Sequence, residues 1–127
     1  MTLDEIDAQL KKFYPPSLAP FDSMGYLIRT KKAVQRMALA LGLNGFTMKA
    51  GIDRHMDGVI VHNAPETLAD SRYYQRLNIL GKRNNLSVYR LHLPLDFAPH
   101  GLIDTLCGLL GFTGRPARLT YQTHQIV

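Results

Sequence analysis

Two short apolar segments, separated by one amphipathic segment, constrain the fold of this sequence more than any other feature. Residues 58–61 and 86–91 have the length and apolar character of buried β-strands, and residues 70–83 between them have the periodicity of a helix. A strand–helix–strand unit of this length almost always forms a right-handed crossover between parallel strands. The pattern therefore predicts an α/β fold built on a largely parallel sheet.

Polar residues follow both predicted strands at the same end. His62 and Asn63 come directly after the first strand. His92 ends the second strand, and Asp96 lies four residues further on. Because open α/β sheets bind ligands at the carboxyl ends of their parallel strands, we expect these four side chains to gather at one edge.

The residue types at this edge are suited to bind a metal ion. Imidazole and carboxylate groups are standard ligands of zinc, iron and manganese, so His62, His92 and Asp96 are candidate ligands. Asn63 is a poorer ligand, but its amide can contact an anion. A histidine at a strand end is more often a hydrogen-bonded surface or core residue, so the spacing alone leaves both interpretations open.

The remaining segments continue the alternation of helices and strands. The predicted helices span residues 3–13, 46–55, 70–83 and 102–110, and the predicted strands span residues 26–28, 35–41, 58–61, 86–91 and 119–123. In the third helix, Tyr73, Leu77 and Leu80 form the predicted buried stripe. The order of elements predicts a single α/β domain over residues 1–127, with a mixed, largely parallel central sheet flanked by helices.

Composition narrows the expected partners and location. The net charge of +5 comes from basic residues spread along the chain, whereas a nucleic-acid site shows them clustered among aromatic residues. We therefore do not expect nucleic-acid binding. Charged pairs spread in this way are typical of a solvated surface, and the excess positive charge can also steer a small anionic or phosphorylated ligand toward the protein. No apolar run approaches the roughly 20 residues that cross a bilayer, and the N-terminus lacks a basic signal, which predicts a cytoplasmic protein without membrane contact. The single cysteine, Cys107, lies among leucines and is predicted to be buried.

Two segments of the sequence resemble a known family. The segment VIVHN at residues 59–63, followed by LSVYRLHLPLD at residues 86–96, is similar to the Ngg-interacting-factor-three-like proteins. This dinuclear-metal family is also labelled GTP cyclohydrolase I type 2. Its pattern is a strand ending in two histidines, then a helix, then a strand ending in His-x-x-x-Asp. The segment LAPFDSMGY at residues 18–26 also fits, and the resemblance covers about residues 3–112.

The resemblance implies an incomplete metal site. His62 and Asp96 match metal ligands of the family, and His92 matches a histidine beside the metals that is suited to act as a base or to orient other groups. Asn63 stands where the family has the second histidine of its pair. The family's distal His and Glu have no counterpart, because no glutamate follows Glu66. The sequence therefore resembles one half of the family fold, as a shortened relative that holds at most one divalent ion (zinc, iron or manganese).

Two functions remain open from the sequence. The first is metal-assisted hydrolysis, with His62 and Asp96 as ligands and His92 as the catalytic residue. The second is a non-catalytic, oligomeric binding or assembly module that has lost the metal chemistry. In both cases the resemblance implies a homo-oligomer, since full-length relatives assemble into rings.

Overall fold

The structure is a computed structural model that describes residues 1–30 and 33–112, and the backbone of residues 119–121 and 124–126. The helices in this part of the chain are α1 (Leu3–Phe13), α2 (Gly45–Asp53), α3 (Arg72–Arg83), α4 (Leu93–Phe97) and α5 (Leu102–Leu109), with a short 3₁₀ helix at Pro16–Leu18. The strands are β1 (Gly25–Ile28), β2 (Met37–Gly42), β3 (Gly58–Asn63), β4 (Ser87–Arg90), β5 (Leu119–Tyr121) and β6 (His124–Ile126).

A four-stranded sheet with the order β1-β4-β3-β2 lies at the centre of the fold. Strands β2, β3 and β4 run parallel to one another, and β1 pairs antiparallel with β4. Helix α2 connects β2 to β3, and α3 connects β3 to β4. The predicted α/β class and the mixed, largely parallel sheet are confirmed. The extent of the domain over residues 1–127 stays a prediction.

One face of the sheet is covered by α2 and α3. Met48 of α2 and Leu77 of α3 pack in a single buried cluster with Val59, Val61 and Val88 of the central strands. The side chains of β3 that enter this cluster alternate with side chains on the other face, as the strand geometry requires. Burial of this cluster supplies the main apolar contribution to stability.

The opposite face of the sheet is covered only in part. Tyr26 and Tyr89 lie beneath α1, where their hydroxyls donate to the carbonyl of Leu3 at 3.0 Å and to Asp7 Oδ1 at 2.8 Å. At the other side of the same face, Leu39 remains 80% exposed and Leu41 73% exposed. We call the surface formed by Leu39, Leu41 and Ile60 the open face.

Helix α3 is rotated relative to the predicted orientation. Leu77 is buried as expected, but Tyr73 is 47% exposed and Leu80 37% exposed, and the second buried residue is Gly81. A Cβ atom on Gly81 would lie only 2.9 Å from Ile28 Cδ1, so the absence of a side chain allows the helix to approach the sheet closely. Because of this close approach, the side of α3 that carries Leu77 and Gly81 faces the sheet. The larger apolar residues Tyr73 and Leu80 are therefore left partly exposed. The helix begins at Arg72, with Ser71 as N-cap, and not at residue 70.

Several other local features of the structure differ from the predictions. Residues 93–97 form the short helix α4 where an irregular segment was expected, since Pro94 occupies a first-turn position that needs no N–H donor. Cys107 is partly exposed and not buried, because no residue of α5 is buried. The predicted strand at residues 119–123 includes β5, which pairs antiparallel with β6 in a separate two-stranded sheet, and residues 122 and 123 lie outside the described part of the chain. None of the helices in the described part of the chain is long and apolar enough to cross a bilayer.

Candidate metal site

Three of the four polar residues predicted at the strand ends lie together. One nitrogen of His62, one nitrogen of His92 and one carboxylate oxygen of Asp96 all lie within 4.8 Å of one another. The centroids of the two imidazole rings are 4.9 Å apart. His62 is the last residue but one of β3, and His92 is the second residue after the end of β4. The parallel pairing of these neighbouring strands therefore brings the two rings to one edge.

Helix α4 brings Asp96 back to this edge. The helix begins immediately after His92, and the N–H of Leu95 donates to the carbonyl of His92 at 2.9 Å. Residues four apart lie on the same face of a helical turn, so the side chain of Asp96 returns to the side of His92. The four-residue spacing in the sequence is therefore a consequence of one helical turn at the end of a strand.

A backbone carbonyl fixes the ring of His62. Its Nδ1 lies 3.1 Å from the carbonyl oxygen of Leu91, which can only accept a hydrogen bond, so we assign the ring proton to Nδ1. The other nitrogen, Nε2, then carries a lone pair and lies 3.4 Å from Asp96 Oδ1. A lone pair on Nε2 is what a metal-binding histidine requires.

A buried carboxylate fixes the ring of His92 in a similar way. Nδ1 of His92 lies 3.1 Å from Asp22 Oδ1 and 3.1 Å from a guanidinium nitrogen of Arg90. Arg90 already donates to the same oxygen of Asp22 at 2.7 Å. We therefore assign the proton of His92 to Nδ1, donating to the anionic acceptor, which leaves Nε2 without a proton. A carboxylate behind a histidine is a common support for a metal ligand.

Asp22 and Arg90 form a buried ion pair behind the site. Their side chains are 5% and 6% exposed, and the N–H of Leu93 adds a hydrogen bond to Asp22 Oδ2 at 3.0 Å. Arg90 also donates to the carbonyl oxygen of Ala64, to the carbonyl of Ser23 and to its hydroxyl. Burial by itself raises the pKa of Asp22, but the hydrogen bonds from His92 and Arg90 outweigh it and hold the pKa below its ordinary value.

Sequence reasoning missed both members of this ion pair. A signal for Arg90 was present, because it is the one charged residue inside the apolar segment 86–91. A charge in a central strand is buried only if it is paired. Its partner could not be located from the sequence, since Asp22 lies 68 residues away in the loop before β1.

Asp96 contrasts with Asp22. Its side chain is only 14% exposed, and its Oδ1 atom is buried without a hydrogen-bond partner in the described part of the chain. Burial raises the pKa of Asp96, and the positive charge that His62 and His92 carry when protonated only partly opposes this. A buried carboxylate oxygen grouped with one nitrogen of each of two histidines fits a divalent cation, because a cation would satisfy all three groups at once.

Asn63 lies apart from these three groups. It follows His62 directly in β3, and successive side chains of a strand point to opposite faces. Its side chain is exposed, while its backbone carbonyl accepts a hydrogen bond from the N–H of Leu43 at 2.9 Å. The role of Asn63 as an additional ligand or an anion contact stays a prediction.

Comparison with known proteins decides the family. A family model described as Duf34/NIF3 (NGG1p interacting factor 3) matches residues 1–124. The chain belongs to the Duf34/NIF3 family. A curated relative, the GTP cyclohydrolase 1 type 2 homolog of Streptococcus pneumoniae, is 32% identical over 96 residues, which cover 71% of this chain and 36% of the relative. The resemblance noted in the sequence is confirmed.

Several solved structures share the fold. A Bacillus cereus protein related to NIF3 is 23% identical, with a TM-score of 0.74 over 87% of this chain and 32% of its own. Reduced HcgD from Methanocaldococcus jannaschii is 20% identical, with a TM-score of 0.78 over 98% of this chain and 52% of its own. The chain thus spans between about a third and a half of the length of these three proteins.

Proposed function

We propose that this Duf34/NIF3 chain binds one divalent metal ion through His62, His92 and Asp96 and uses it for hydrolysis. The observation that carries the proposal is the buried Oδ1 of Asp96, which has no hydrogen-bond partner in the described part of the chain and faces two histidines whose Nδ1 atoms are already engaged. A divalent ion held by these groups would supply Lewis-acid activation of a water molecule at neutral pH.

In this proposal His92 is a ligand and not a general base. The family resemblance implied His62 and Asp96 as the metal ligands, Asn63 as a possible additional ligand, and His92 as the catalytic residue. The hydrogen bond between His92 Nδ1 and Asp22 supports a ligand role, because it orients the ring and makes Nε2 a better electron donor. Three protein ligands of the type N₂O are the usual number at a catalytic zinc site, and a set of two histidines and one carboxylate also suits iron.

The other residues of the site orient the ligands. The Asp22–Arg90 ion pair holds His92 in one tautomer, and the carbonyl of Leu91 does the same for His62. With these protons fixed, the two rings need no rearrangement when a cation binds. Asn63 at the end of β3 and the net charge of +5 favour an anionic substrate. Since one relative is named a GTP cyclohydrolase homolog, nucleoside triphosphates are the first substrate class to screen.

The second candidate function is a non-catalytic homo-oligomeric assembly module. The observation that favours it is the amount of exposed apolar surface, because Leu39, Leu41 and Leu109 are each more than 70% exposed. Exposed apolar groups of this size are typical of interfaces between chains. This function needs no metal, so metal content separates the two candidates.

The decisive experiment is elemental analysis of untagged protein, together with a His62→Gln, Asp96→Asn double variant. We expect close to one zinc or iron ion per chain in the unaltered protein and a loss of at least tenfold in the variant. A matched control is the His100→Asn, Asp104→Asn double variant, which alters an exposed histidine and a partly exposed aspartate outside the cluster. The control should retain its metal.

Each outcome separates the two candidates. Metal lost only from the site variant supports the proposal, and hydrolysis of nucleoside triphosphates can then be compared before and after chelation. Absence of metal after incubation with zinc or iron salts would overturn the metal proposal and leave the assembly module. Metal-containing protein whose hydrolysis rate is unchanged by chelation would overturn the hydrolytic mechanism alone.

A further inference from the structure

The open face borders an apolar hollow that reaches the candidate metal site. The hollow has a volume of about 330 Å³, and Leu91 and Leu95 complete the apolar lining that the open face begins. His62 lies in the same wall. Because His62 also belongs to the cluster that could hold a metal ion, the hollow and the candidate site share a side chain. The hollow is therefore continuous with the site.

The register of the sheet places the exposed leucines beside this shared histidine. The ladder between β2 and β3 pairs Leu39 with Ile60, and in the same register Leu41 lies beside His62. Ile60 and His62 are two residues apart in β3, so their side chains lie on the same face of the sheet. One face of two neighbouring strands thus carries both apolar side chains and a candidate metal ligand.

The segment after β4 repeats this arrangement. Leu91 is 4% exposed, directly precedes His92, and accepts the hydrogen bond from Nδ1 of His62 at 3.1 Å through its carbonyl oxygen. Leu95 directly precedes Asp96 in α4. Each candidate ligand therefore has a lining residue of the hollow within two positions of it in the chain. A molecule that occupies the hollow lies next to the cluster.

The hollow has the size and the chemistry of a small-ligand site. Its volume is at the lower end of the range of about 300–1,000 Å³ for ligand pockets, and is about twice that of an apolar cavity of about 150 Å³ that binds benzene. Among its described lining residues, His62 alone has a polar side chain, and its two ring nitrogens face Leu91 and Asp96. A bound group gains apolar contacts but no side-chain hydrogen bond there, which favours an alkyl or phenyl group over a sugar or a nucleobase.

We propose that the substrate of this site is a small amphipathic anion. Its alkyl or phenyl group, of about six carbons, lies in the hollow of the open face. Its anionic group lies at the cluster of His62, His92 and Asp96. The placement of the anionic group rests on the proposed metal-dependent function, because a divalent ion at the cluster attracts an anion. The placement of the apolar group rests on the hollow alone.

A small ligand suits the hollow better than a docked protein segment. The side chain of His62 is 15% exposed, so a protein segment seated on the open face would cover it and close the candidate site to substrate. Leu39 and Leu41, which are 80% and 73% exposed, have most of their surface free to contact an alkyl or phenyl group. Such a contact is favourable, because it removes apolar surface of both the protein and the ligand from water.

The first test measures the binding of methyl-, butyl- and hexylphosphonate to the full chain. These probes share one anionic group, differ only in alkyl length and contain no ester bond to hydrolyse. Isothermal titration calorimetry gives each affinity for zinc-loaded and for metal-free protein. We expect the affinity to rise by up to about fourfold for each added methylene in both forms, because a buried CH₂ contributes about 0.8 kcal/mol. Zinc should raise the affinity for all three probes by a similar factor.

The second test removes the apolar wall of the hollow. In the Leu39→Ser, Leu41→Ser double variant, we expect the dependence on alkyl length to be lost and the affinity for methylphosphonate to stay unchanged. Phe46→Ser is the matched control, since Phe46 is 83% exposed and lines a different hollow of about 360 Å³ between β2 and α2. All three side chains are exposed, so the variants should fold, which far-UV circular dichroism and zinc content check.

The outcomes separate this inference from the proposed metal function. A dependence on alkyl length that only the leucine variant loses supports the placement of the apolar group. An affinity that does not depend on alkyl length would overturn that placement, even where zinc raises the affinity. Loss of the dependence in Phe46→Ser, and not in the leucine variant, would overturn it by assigning the apolar group to the other hollow. A dependence on alkyl length without any effect of zinc would overturn the metal function and the placement of the anionic group, while supporting the apolar site.

Discussion

Two aspartates with largely buried side chains lie at the same edge of the sheet, and they differ in their hydrogen bonds. Asp22 is 5% exposed and receives hydrogen bonds from Arg90, His92 and the backbone of Leu93. Asp96 is 14% exposed, and its Oδ1 atom has no hydrogen bond in the described part of the chain. Burial acts on both, yet the pKa of Asp22 falls and the pKa of Asp96 rises.

The difference indicates what each carboxylate does. A buried carboxylate with a full set of donors stabilises the protein and holds its neighbours in place. A buried carboxylate without donors destabilises the protein until a cation binds. Asp22 is therefore a positioning residue for His92, and Asp96 is the residue whose unfavourable burial a metal ion would relieve.

The largest effect is expected from Arg90→Met. The substitution keeps an apolar chain of similar length but leaves Asp22 charged and buried without its cation, which costs about 3–5 kcal/mol of unfolding free energy for pairs of this kind. Urea denaturation of the metal-free protein measures the change. Arg29→Met is the control, because Arg29 also pairs with an aspartate but at the protein surface, and only a small change is expected there. Equal effects of the two substitutions would contradict the assignment of Asp22.

The second effect concerns metal binding to Asp96. A ligand that binds only the folded state at a hundred times its dissociation constant adds about 2.7 kcal/mol of stability. We expect this gain from zinc or iron in the unaltered protein and a much smaller gain in Asp96→Asn at the same metal concentration. Thermal or urea unfolding with and without metal measures it. An equal gain in both proteins would place the metal elsewhere.

The third effect is a gain of stability in metal-free Asp96→Asn. The amide carries no charge, so the variant avoids burying an anion without a donor, and we expect a gain of about 1 kcal/mol at neutral pH. Asp53→Asn, which alters an exposed aspartate paired with Lys49, serves as the control and should not gain stability. A loss of stability in metal-free Asp96→Asn would show that the carboxylate has a stabilising partner after all.

The strand-end histidines illustrate how far the sequence predicts this site. The positions of His62 and His92 follow from two neighbouring parallel strands, and the position of Asp96 follows from one turn of helix. These are local rules, and they act within a single strand–helix–strand unit. The sequence therefore predicted the three converging groups correctly.

Local rules of this kind could not predict the pairing of Asp22 with Arg90 or the orientation of α3. The partner of Arg90 depends on how a loop 68 residues earlier folds against the sheet. The inward side of α3 depends on the fit of Gly81 against Ile28, which no apolar periodicity shows. The exposure of Leu39 and Leu41 was equally hidden, because an alternating apolar strand has the same sequence whether its face is covered or left open. Features that depend on contacts distant in sequence required the structure.

The smallest effect expected is in the pH dependence of the free energy of unfolding. It distinguishes the two aspartates because their pKa values shift in opposite directions. Asp96 has a raised pKa in the folded protein, so its cost is present at neutral pH and disappears as the pH falls from that raised value toward the ordinary pKa of 3.8. Asp22 has a lowered pKa, so its contribution is present above 3.8 and is lost as the pH falls from there through the lowered value. In acid titrations of metal-free protein, the stability difference between the unaltered chain and Asp96→Asn should vanish first, above pH 3.8. The difference between the unaltered chain and Asp22→Asn should persist to lower pH. The reverse order would contradict the assignment of the lowered pKa to Asp22 and of the raised pKa to Asp96.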